Sequence, residues 1–224
     1  MNGKMVPRKI LIYDDCSTDA SIDIMKQLDS KFESVSCFYG SKNRGAGYAR
    51  NYLLKKVDTK YIAFLDSDDI WYENKLSEQI KEIERLNADV CICGYDIVDD
   101  TKSVVYSRSV PKKVSYSMMH ACNWIPMSMA LVKADLYCAK KMPMPRKRQD
   151  YAYWLTLFRE NHGLNVVGLK LKLGSYTRRK NSISSSPIKN IGANYMMYRG
   201  FLKYSVMTSL FCVFLNICVR LFRS

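Results

Sequence analysis

Histidine and acidic residues are scarce in this chain. Over 224 residues there are 2 His, and 21 Asp and Glu stand against 35 Lys and Arg, which leaves a net charge of +14. This balance excludes an acidic surface and favours a polyanionic neighbour, namely nucleotide phosphates, nucleic acid or an anionic membrane surface. The basic stretches 146–148 and 178–180 lack the interleaved aromatic residues of a nucleic-acid platform. We therefore expect phosphates and lipid head groups as counter-ions, and no nucleic acid.

The chain also lacks the marks of a secreted, disulfide-linked protein. We expect no secretory signal at the N-terminus, and most of the eight Cys lie in apolar runs, where Cys acts as a small core residue. Cys91 and Cys93 have the spacing of half a zinc site, but no second pair accompanies them and histidine is rare. These absences predict a protein of the reducing cytoplasm.

Apolar sequence is plentiful enough for one core. The chain is 48% hydrophobic and 25% charged, which fits a single folded domain. Over the first 95 residues, strand-length apolar runs alternate with helical patterns, which is typical of a parallel α/β sheet. The expected strands lie at 9–13, 34–39, 61–65, 88–94, 103–107 and 128–132, with one or two more within 163–176. A first helix is expected to follow residues 14–19 and to end near residue 28, and three more helices are expected at 48–56, 73–86 and 150–160.

The C-terminal segment 204–219 is nearly all apolar, and Arg220 and Arg223 follow it. It is shorter than the roughly 20 residues that a membrane-spanning helix needs. Its polar residues fall on one helical stripe: Ser205, Thr208, Ser209 and Asn216. The pattern predicts an amphipathic helix that lies in the membrane interface or packs on a partner, with a buried C-terminal helix as the alternative. The basic flank favours attraction to anionic lipid.

The run Tyr61-Ile62-Ala63-Phe64-Leu65-Asp66-Ser67-Asp68-Asp69 is the most informative segment. A buried strand is followed at once by three carboxylates, which repel one another unless a positive group lies among them. Mg²⁺ and Mn²⁺ prefer such oxygen ligands and are usually shared with substrate phosphates. The run therefore predicts a metal-bridged phosphate site at the carboxyl end of a strand, the edge where open α/β sheets bind ligands.

Four motif-like segments follow one another along the chain: Ile12-Tyr13-Asp14-Asp15-Cys16-Ser17-Thr18-Asp19; Asn43-Arg44-Gly45 with Ala49-Arg50-Asn51; Phe64-Leu65-Asp66-Ser67-Asp68-Asp69 with Trp71 and Lys75-Leu76; and Gln149-Asp150-Tyr151 with Trp154-Leu155. In this order they resemble a family 2 glycosyltransferase of the GT-A type. The resemblance covers roughly residues 8 to 180. It implies an α/β fold with a Rossmann-like mixed sheet flanked by helices. The expected division is 1–181 for this domain, with a nucleotide-binding part at about 1–95 and an acceptor part at about 96–181, and 182–224 for a linker and the C-terminal apolar helix.

The resemblance also implies roles for the carboxylates on the donor side. Asp15 matches the residue that accepts a hydrogen bond from the nucleotide base, with Asp14 in support; the alternative is helix N-capping by Asp15 or Ser17. Asp66 and Asp68 match the Asp-x-Asp motif, with Asp68 as the metal ligand and Asp66 as a contact to ribose or a second ligand. Asp69 is a reserve ligand for the divalent cation, Mn²⁺ or Mg²⁺.

On the acceptor side, Asp150 matches the general base, which takes the proton of the attacking hydroxyl. Gln149 stands where the family commonly has Glu, and Asp150 as a helix N-cap is the alternative reading. Arg50 is expected among the nucleotide-binding residues, as an anchor of the loop or of the acidic clusters, and Arg44 is expected to reach phosphate; a surface Arg is the alternative for either. Trp154 is expected in the core.

The function implied is an inverting transfer of a sugar from a nucleotide-sugar, a UDP-sugar by preference. The acceptor would be a hydroxyl of a lipid-linked or surface glycan, at the cytoplasmic face of the membrane. Family members open with a further strand and helix before the strand at 9–13, so we expect an N-terminally truncated version of the fold. An inactive remnant, or one half of a split protein that binds nucleotide or a partner, is the first alternative. A phosphatase of the haloacid dehalogenase type is the second, but Ile70 stands where that family needs Thr or Val.

Overall fold

Strands and helices alternate along the chain in a computed structural model, which describes residues 5–138, 141–142, 147–178 and 187–222. In chain order the elements are β1 (Ile10–Asp14), α1 (Ser21–Lys31), β2 (Val35–Tyr39), α2 (Ala46–Leu54), β3 (Tyr61–Ala63), β4 (Ile70–Trp71), α3 (Lys75–Arg85), β5 (Val90–Val98), β6 (Val104–Arg108), β7 (Lys113–Val114), α4 (Tyr116–Ala121), β8 (Ala130–Lys133), α5 (Ala134–Cys138), α6 (Gln149–Glu160), β9 (Val166–Thr177), α7 (Pro187–Met196) and α8 (Val206–Phe222). A 3-10 turn at Met127–Met129 precedes β8, and a π-helical turn at Met197–Phe201 follows α7.

The strands form two sheets. β1 and β2 pair in parallel, and a second, seven-stranded sheet has the order β3-β8-β5-β9-β4, with β6 on β5 and β7 on β9. β5 and β9 run parallel, whereas β8 lies antiparallel between β3 and β5. The expected mixed sheet is confirmed. β1 and β2 pair in parallel as expected for the first 95 residues, and β3 and β5 run in the same direction, but they are not neighbours because the later, antiparallel strand β8 lies between them. Within the described residues, β1 pairs with β2 alone and β3 with β8 alone.

The core is built from the helices that cover the larger sheet. α6 carries the expected apolar residues inward, and the side chains of Tyr151, Tyr153 and Trp154 are at most 1% exposed. The prediction that Trp154 belongs to the core is confirmed. α3 turns Ile83 to the other face of the sheet, together with the polar side chains of Lys75 and Gln79, which are fully buried.

The C-terminal helices close one side of this core. α8 packs against α4 and α7. The Tyr204 hydroxyl, just before α8, lies 2.8 Å from the Tyr116 hydroxyl and 3.0 Å from His120 Nε2, so His120 is part of the packing. No helix in the described part of the chain is long and apolar enough to cross a membrane. The boundary near residue 181 stays a prediction, since 182–186 lie outside the described residues.

Candidate active site

The acidic turn, residues 66–69, follows β3 and leads directly into β4. The backbone closes it through a bond from the Asp69 N–H to the Asp66 carbonyl, at 3.0 Å. The Ser128 hydroxyl accepts the Asp66 N–H at 3.1 Å. The expected strand at 61–65 is two residues too long, because the chain leaves the sheet after Ala63 to make this turn.

Thr177, the last residue of β9, fastens the acidic turn from the other side. Its hydroxyl donates to the Asp68 carbonyl, and its N–H donates to Asp69 Oδ1 at 3.1 Å. Lys102 Nζ donates to the Thr177 hydroxyl at 2.9 Å and to the Asp68 carbonyl at 3.2 Å. These contacts fix the backbone of Asp68 and thereby restrict the positions that its carboxylate can reach. Sequence reasoning missed Thr177, Lys102 and Ser128.

Asp69 is the buried member of the turn, at 8% exposure. Burial raises the pKa of its carboxyl to about 6, and the neighbouring Asp66 and Asp68 add to the rise, while the Thr177 N–H opposes it. Asp69 Oδ2 is buried with no hydrogen-bond partner among the described residues. The cluster thus holds more negative charge than its neutral donors offset.

Asp66 is paired with Arg50 of α2. Arg50 Nη2 lies 2.5 Å from Asp66 Oδ1, and the guanidinium is buried to 16% exposure while the carboxylate is 43% exposed. Arg50 thus lies against the acidic turn, and its predicted part in nucleotide binding stays a prediction.

The carboxylates at the end of β1 are engaged by backbone N–H groups. Asp14 is buried and accepts from Cys16 and Ser17, as a residue that shapes the turn into α1 does. Asp15 accepts from the N–H groups of Arg44 at 2.9 Å and Gly45 at 2.6 Å. Gly45 has φ +89°, a backbone conformation that favours glycine. Asp15 therefore holds the loop that begins α2.

Asp150 lies in the first turn of α6, half-buried. Its Oδ2 accepts from Asn123 Nδ2 at 2.8 Å. Asn123 Oδ1 in turn accepts the Ile125 N–H at 3.2 Å, which leaves the Asn123 amide nitrogen to face Asp150. The capping alternative for Asp150 is not what the structure shows, because the N-cap is Arg148. Asn123 was not singled out from the sequence.

α2 joins the donor-side carboxylates to the Asp150 side. A Cβ at Gly47 would lie 2.9 Å from the amide of Gln149, so the start of α6 packs directly on α2. Asn51 exchanges two hydrogen bonds with the backbone of Met142, at 2.7 and 3.0 Å. The same helix carries Arg50 and begins at the loop held by Asp15. α2 thus contacts the acidic turn through Asp66, the Asp15 loop at its own first residues, and the start of α6 at Gln149.

The acidic turn has the chemistry for a hard divalent cation. Carboxylate oxygens are the ligands that Mg²⁺ and Mn²⁺ prefer, and one or two protein carboxylates suffice when phosphates complete the shell. Within the described residues no group of three Asp, Glu, His or Cys side chains converges as a closed metal site. The buried oxygen of Asp69 that lacks a donor nevertheless marks an excess of negative charge at the turn. The donor set thus fits an open site shared with a ligand.

Comparison with known proteins decides the family. The model of Glycosyl transferase family 2 matches residues 6–130, more than half of the chain. The chain belongs to glycosyl transferase family 2. The prediction made from the four segments is confirmed, and with it the enzyme class of glycosyltransferases.

Curated family 2 relatives cover most of the chain. It is 30% identical over 205 residues to TuaG of Bacillus subtilis (strain 168), a glycosyltransferase named for teichuronic acid biosynthesis; the match spans 91% of this chain and 81% of TuaG. It is 29% identical over 184 residues to the Escherichia coli UDP-Glc:alpha-D-GlcNAc-diphosphoundecaprenol beta-1,3-glucosyltransferase WfgD, over 82% of this chain and 70% of that protein. The bacterial surface-polysaccharide type that the sequence suggested is supported by these names.

Solved structures share the fold. S. aureus TarS 1-349 in complex with UDP-GlcNAc matches with a TM-score of 0.68 at 18% identity, over 95% of this chain and 64% of that one. The mannosyltransferase PcManGT from Pyrobaculum calidifontis, in complex with GDP-Man and Mn²⁺, matches with a TM-score of 0.63 at 11% identity, over 95% and 65%. The family 2 chain described here thus spans less than two thirds of these solved chains. The GT-A fold is confirmed, while the roles predicted for Asp15, Asp66, Asp68 and Asp150 stay predictions.

Proposed function

We propose that the chain transfers a sugar from a UDP-sugar to a hydroxyl of a lipid-linked or surface glycan, with inversion at the anomeric carbon. The observation that carries the proposal is α2, which links the acidic turn and the Asp15 loop to the start of α6, where Asp150 lies. Relatives support the substrate classes: TarS was solved with UDP-GlcNAc, and WfgD is named for a lipid-linked acceptor.

On the donor side, we assign the nucleotide to the edge where β1 and β3 end. Asp15, already aligned by two backbone N–H groups, has acceptor positions left for the N–H of a uracil. Asp66 would accept from ribose through the oxygen that Arg50 does not hold. Arg50 keeps Asp66 in place and contributes a positive charge near the phosphates.

Asp68, with Asp66 as partner, would hold the divalent cation. PcManGT, which shares the fold, was solved with Mn²⁺. When bound, such an ion offsets the negative charge that develops on the departing diphosphate. The chain's own part is to keep the Asp68 backbone fixed through Thr177, so that its carboxylate meets that ion without reorganisation.

On the acceptor side, Asp150 takes the proton. The acceptor oxygen forms a bond to the anomeric carbon as the bond from that carbon to the diphosphate oxygen breaks, and the acceptor proton passes to Asp150. A single displacement of this kind inverts the configuration. Asn123 holds the Asp150 carboxylate in one orientation while leaving its other oxygen available.

We propose that the protein is peripheral and that it carries out this reaction at the cytoplasmic face of the membrane. The net charge of +14 supports attraction to anionic lipid, and a lipid-linked acceptor would be found there.

The test is transfer and binding by two variants and a matched control. Asp150→Asn is expected to lower turnover with a UDP-sugar roughly 100-fold or more while UDP affinity stays within about twofold, because the base acts on the acceptor only. Asp68→Asn is expected to abolish the Mn²⁺-dependent part of UDP binding in calorimetry. Asp23→Asn, on an exposed site of α1, should leave both unchanged. Wild-type turnover in Asp150→Asn, or no UDP binding by the native chain at millimolar UDP with Mn²⁺, would contradict the proposal.

A further inference from the structure

The outward face of α8 is apolar. Five of its large apolar side chains are between 52% and 77% exposed: Met207, Leu210, Phe211, Phe214 and Leu221. Their spacing of three, four and seven residues places them on one stripe of the helix. An exposed contiguous apolar surface of this kind on a folded protein marks an interaction site.

The inward face of the same helix carries two polar residues beside the apolar side chains of Cys212 and Val213, which are 3% and 8% exposed. Ser209 is fully buried and Asn216 is 4% exposed, and Asn216 Oδ1 accepts from Asn194 Nδ2 of α7 at 3.0 Å. A helix on the surface of a protein in water normally turns its apolar stripe to the core and its polar stripe to solvent. α8 instead buries Ser209 and Asn216 and leaves its stripe of large apolar side chains exposed, so its outward face is suited to an apolar medium.

The C-terminal part of the chain, which contains α8, is strongly basic, and this favours an anionic partner for the apolar face. From residue 161 to the end of the chain there is no Asp or Glu, and there are ten basic residues: Lys170, Lys172, Arg178, Arg179, Lys180, Lys189, Arg199, Lys203, Arg220 and Arg223. Arg199 and Lys203 are exposed just before α8. Two copies joined through α8 would bring Arg199 and Lys203 of both copies close together without any acidic partner from this part of the chain. A bilayer that contains anionic lipid offers both an apolar interior and negative phosphates.

The length of α8 sets how it meets that bilayer. Its 17 residues span about 26 Å at 1.5 Å per residue, which is less than the roughly 30 Å of a hydrocarbon core. A helix with one apolar stripe lies in the plane of the interface, with the stripe toward the acyl chains.

We infer that α8 is the membrane-docking element of this protein. It lies in the headgroup region of an anionic bilayer with the stripe Met207, Leu210, Phe211, Phe214 and Leu221 inserted, and with Arg199 and Lys203 on lipid phosphates. The inference gives the proposed membrane placement a defined surface and orientation. It does not depend on sugar transfer, so binding to vesicles tests it separately from catalysis.

The first experiment is flotation of the full chain with vesicles of phosphatidylcholine containing phosphatidylglycerol. Phe211→Gln/Phe214→Gln is expected to lower the partition coefficient at least about tenfold, since two inserted aromatic side chains are replaced by polar ones. Ile24→Gln/Phe32→Gln is the matched control, because those side chains are 55% and 43% exposed at α1 and should not alter binding. Unchanged circular dichroism and UDP affinity would establish that both variants are folded.

The second experiment tests the charges. Lys203→Gln is expected to weaken binding to the anionic vesicles about fivefold and to leave weak binding to pure phosphatidylcholine unchanged. Lys81→Gln, an exposed site on α3, should have no effect. Vesicle binding by the double Phe variant equal to that of the native chain would overturn the inference. So would a dimer in sedimentation that the Phe changes dissociate, together with no vesicle binding by the native chain.

Discussion

Lys75 offers a quantitative test of how the acidic turn is supported. Its side chain is fully buried in α3, where Nζ donates to Gln79 Oε1 at 2.7 Å and lies 4.2 Å from the centre of the Trp71 ring. Trp71 in turn donates to the Ser128 carbonyl at 2.6 Å, and the Ser128 hydroxyl holds the Asp66 N–H. Burial lowers the pKa of the Lys75 ammonium to about 8.

The sign and size of the effect follow from that pKa. In the unfolded chain a lysine keeps its proton up to its ordinary pKa of 10.5, whereas the folded chain releases it near 8. Between these values the unfolded state binds more protons, so the free energy of unfolding rises with pH. Below pH 8 the buried charge costs about 3 kcal/mol, and about 2 kcal/mol of this is recovered between pH 7.5 and pH 10.

Lys75→Met removes the titrating group and keeps the length of the side chain. We expect the variant to be more stable than the native chain by about 1 kcal/mol at pH 7.5, because the relieved charge exceeds the lost contacts to Gln79 and Trp71. At pH 10 the native chain should have gained about 2 kcal/mol on the variant. Urea unfolding followed by tryptophan fluorescence at pH 7.5, 9 and 10 measures this directly.

The difference in the free energy of unfolding between variant and native chain isolates the contribution of Lys75, because the other titrating groups are the same in both proteins and their contributions cancel. Lys81→Met, on the exposed side of the same helix, is the control. The difference between its free energy of unfolding and that of the native chain should be the same at pH 7.5, 9 and 10. If the free energy of unfolding of Lys75→Met had the same pH dependence as that of the native chain, the buried ammonium would carry no desolvation cost and the reasoning would be wrong.

Two further predictions concern the residues that hold the site. Thr177→Val should lower the free energy of unfolding by about 1–3 kcal/mol and weaken Mn²⁺-dependent UDP binding in calorimetry, because the Asp68 carbonyl and Lys102 lose their hydroxyl partner; Thr177→Ser should retain both properties. Asn123→Ala should lower turnover at least about tenfold with unchanged UDP affinity, because Asp150 loses its fixed orientation. Asn123→Asp should lower turnover further, since it adds a second carboxylate beside Asp150. Equal turnover in the two variants would count against this role of Asn123.

Local sequence patterns predicted the longer strands and the helices α1, α2, α3, α6 and α8, but not the short strands β4 and β7 or the helices α4, α5 and α7. The strand at 61–65 and the carboxylates after it could be identified because a buried run and its polar end are adjacent in the chain. The residues that fasten this turn could not, since Ser128 lies 62 residues from Asp66 and Thr177 lies 108 residues from Asp69. Periodicity carries no information on contacts over such separations, and for the same reason it did not place β8 between β3 and β5.

The C-terminal helix shows the same limit in another form. The sequence predicted the stripe of Ser205, Thr208, Ser209 and Asn216, but not which side of the helix meets the protein. In the structure Ser209 and Asn216 face inward, whereas Ser205 and Thr208 are exposed at the start of α8, where the Ser205 hydroxyl accepts the Thr208 N–H. Orientation was set by the packing of α8 on α4 and α7, which no local pattern records.

The fastening of the acidic turn by Thr177 has a consequence for how the protein matures. Contacts between distant residues close large loops, which is slow and comes late in folding. Because β9 supplies Thr177 at its last position, a chain still emerging from the ribosome has its carboxylates but lacks the Thr177 bonds to Asp68 and Asp69 until residue 177 has been made. With the proposed function, we therefore expect the acidic turn to reach its final geometry in one step, when the final strand joins the sheet, and an incompletely synthesised chain to bind nucleotide-sugar more weakly than the full chain.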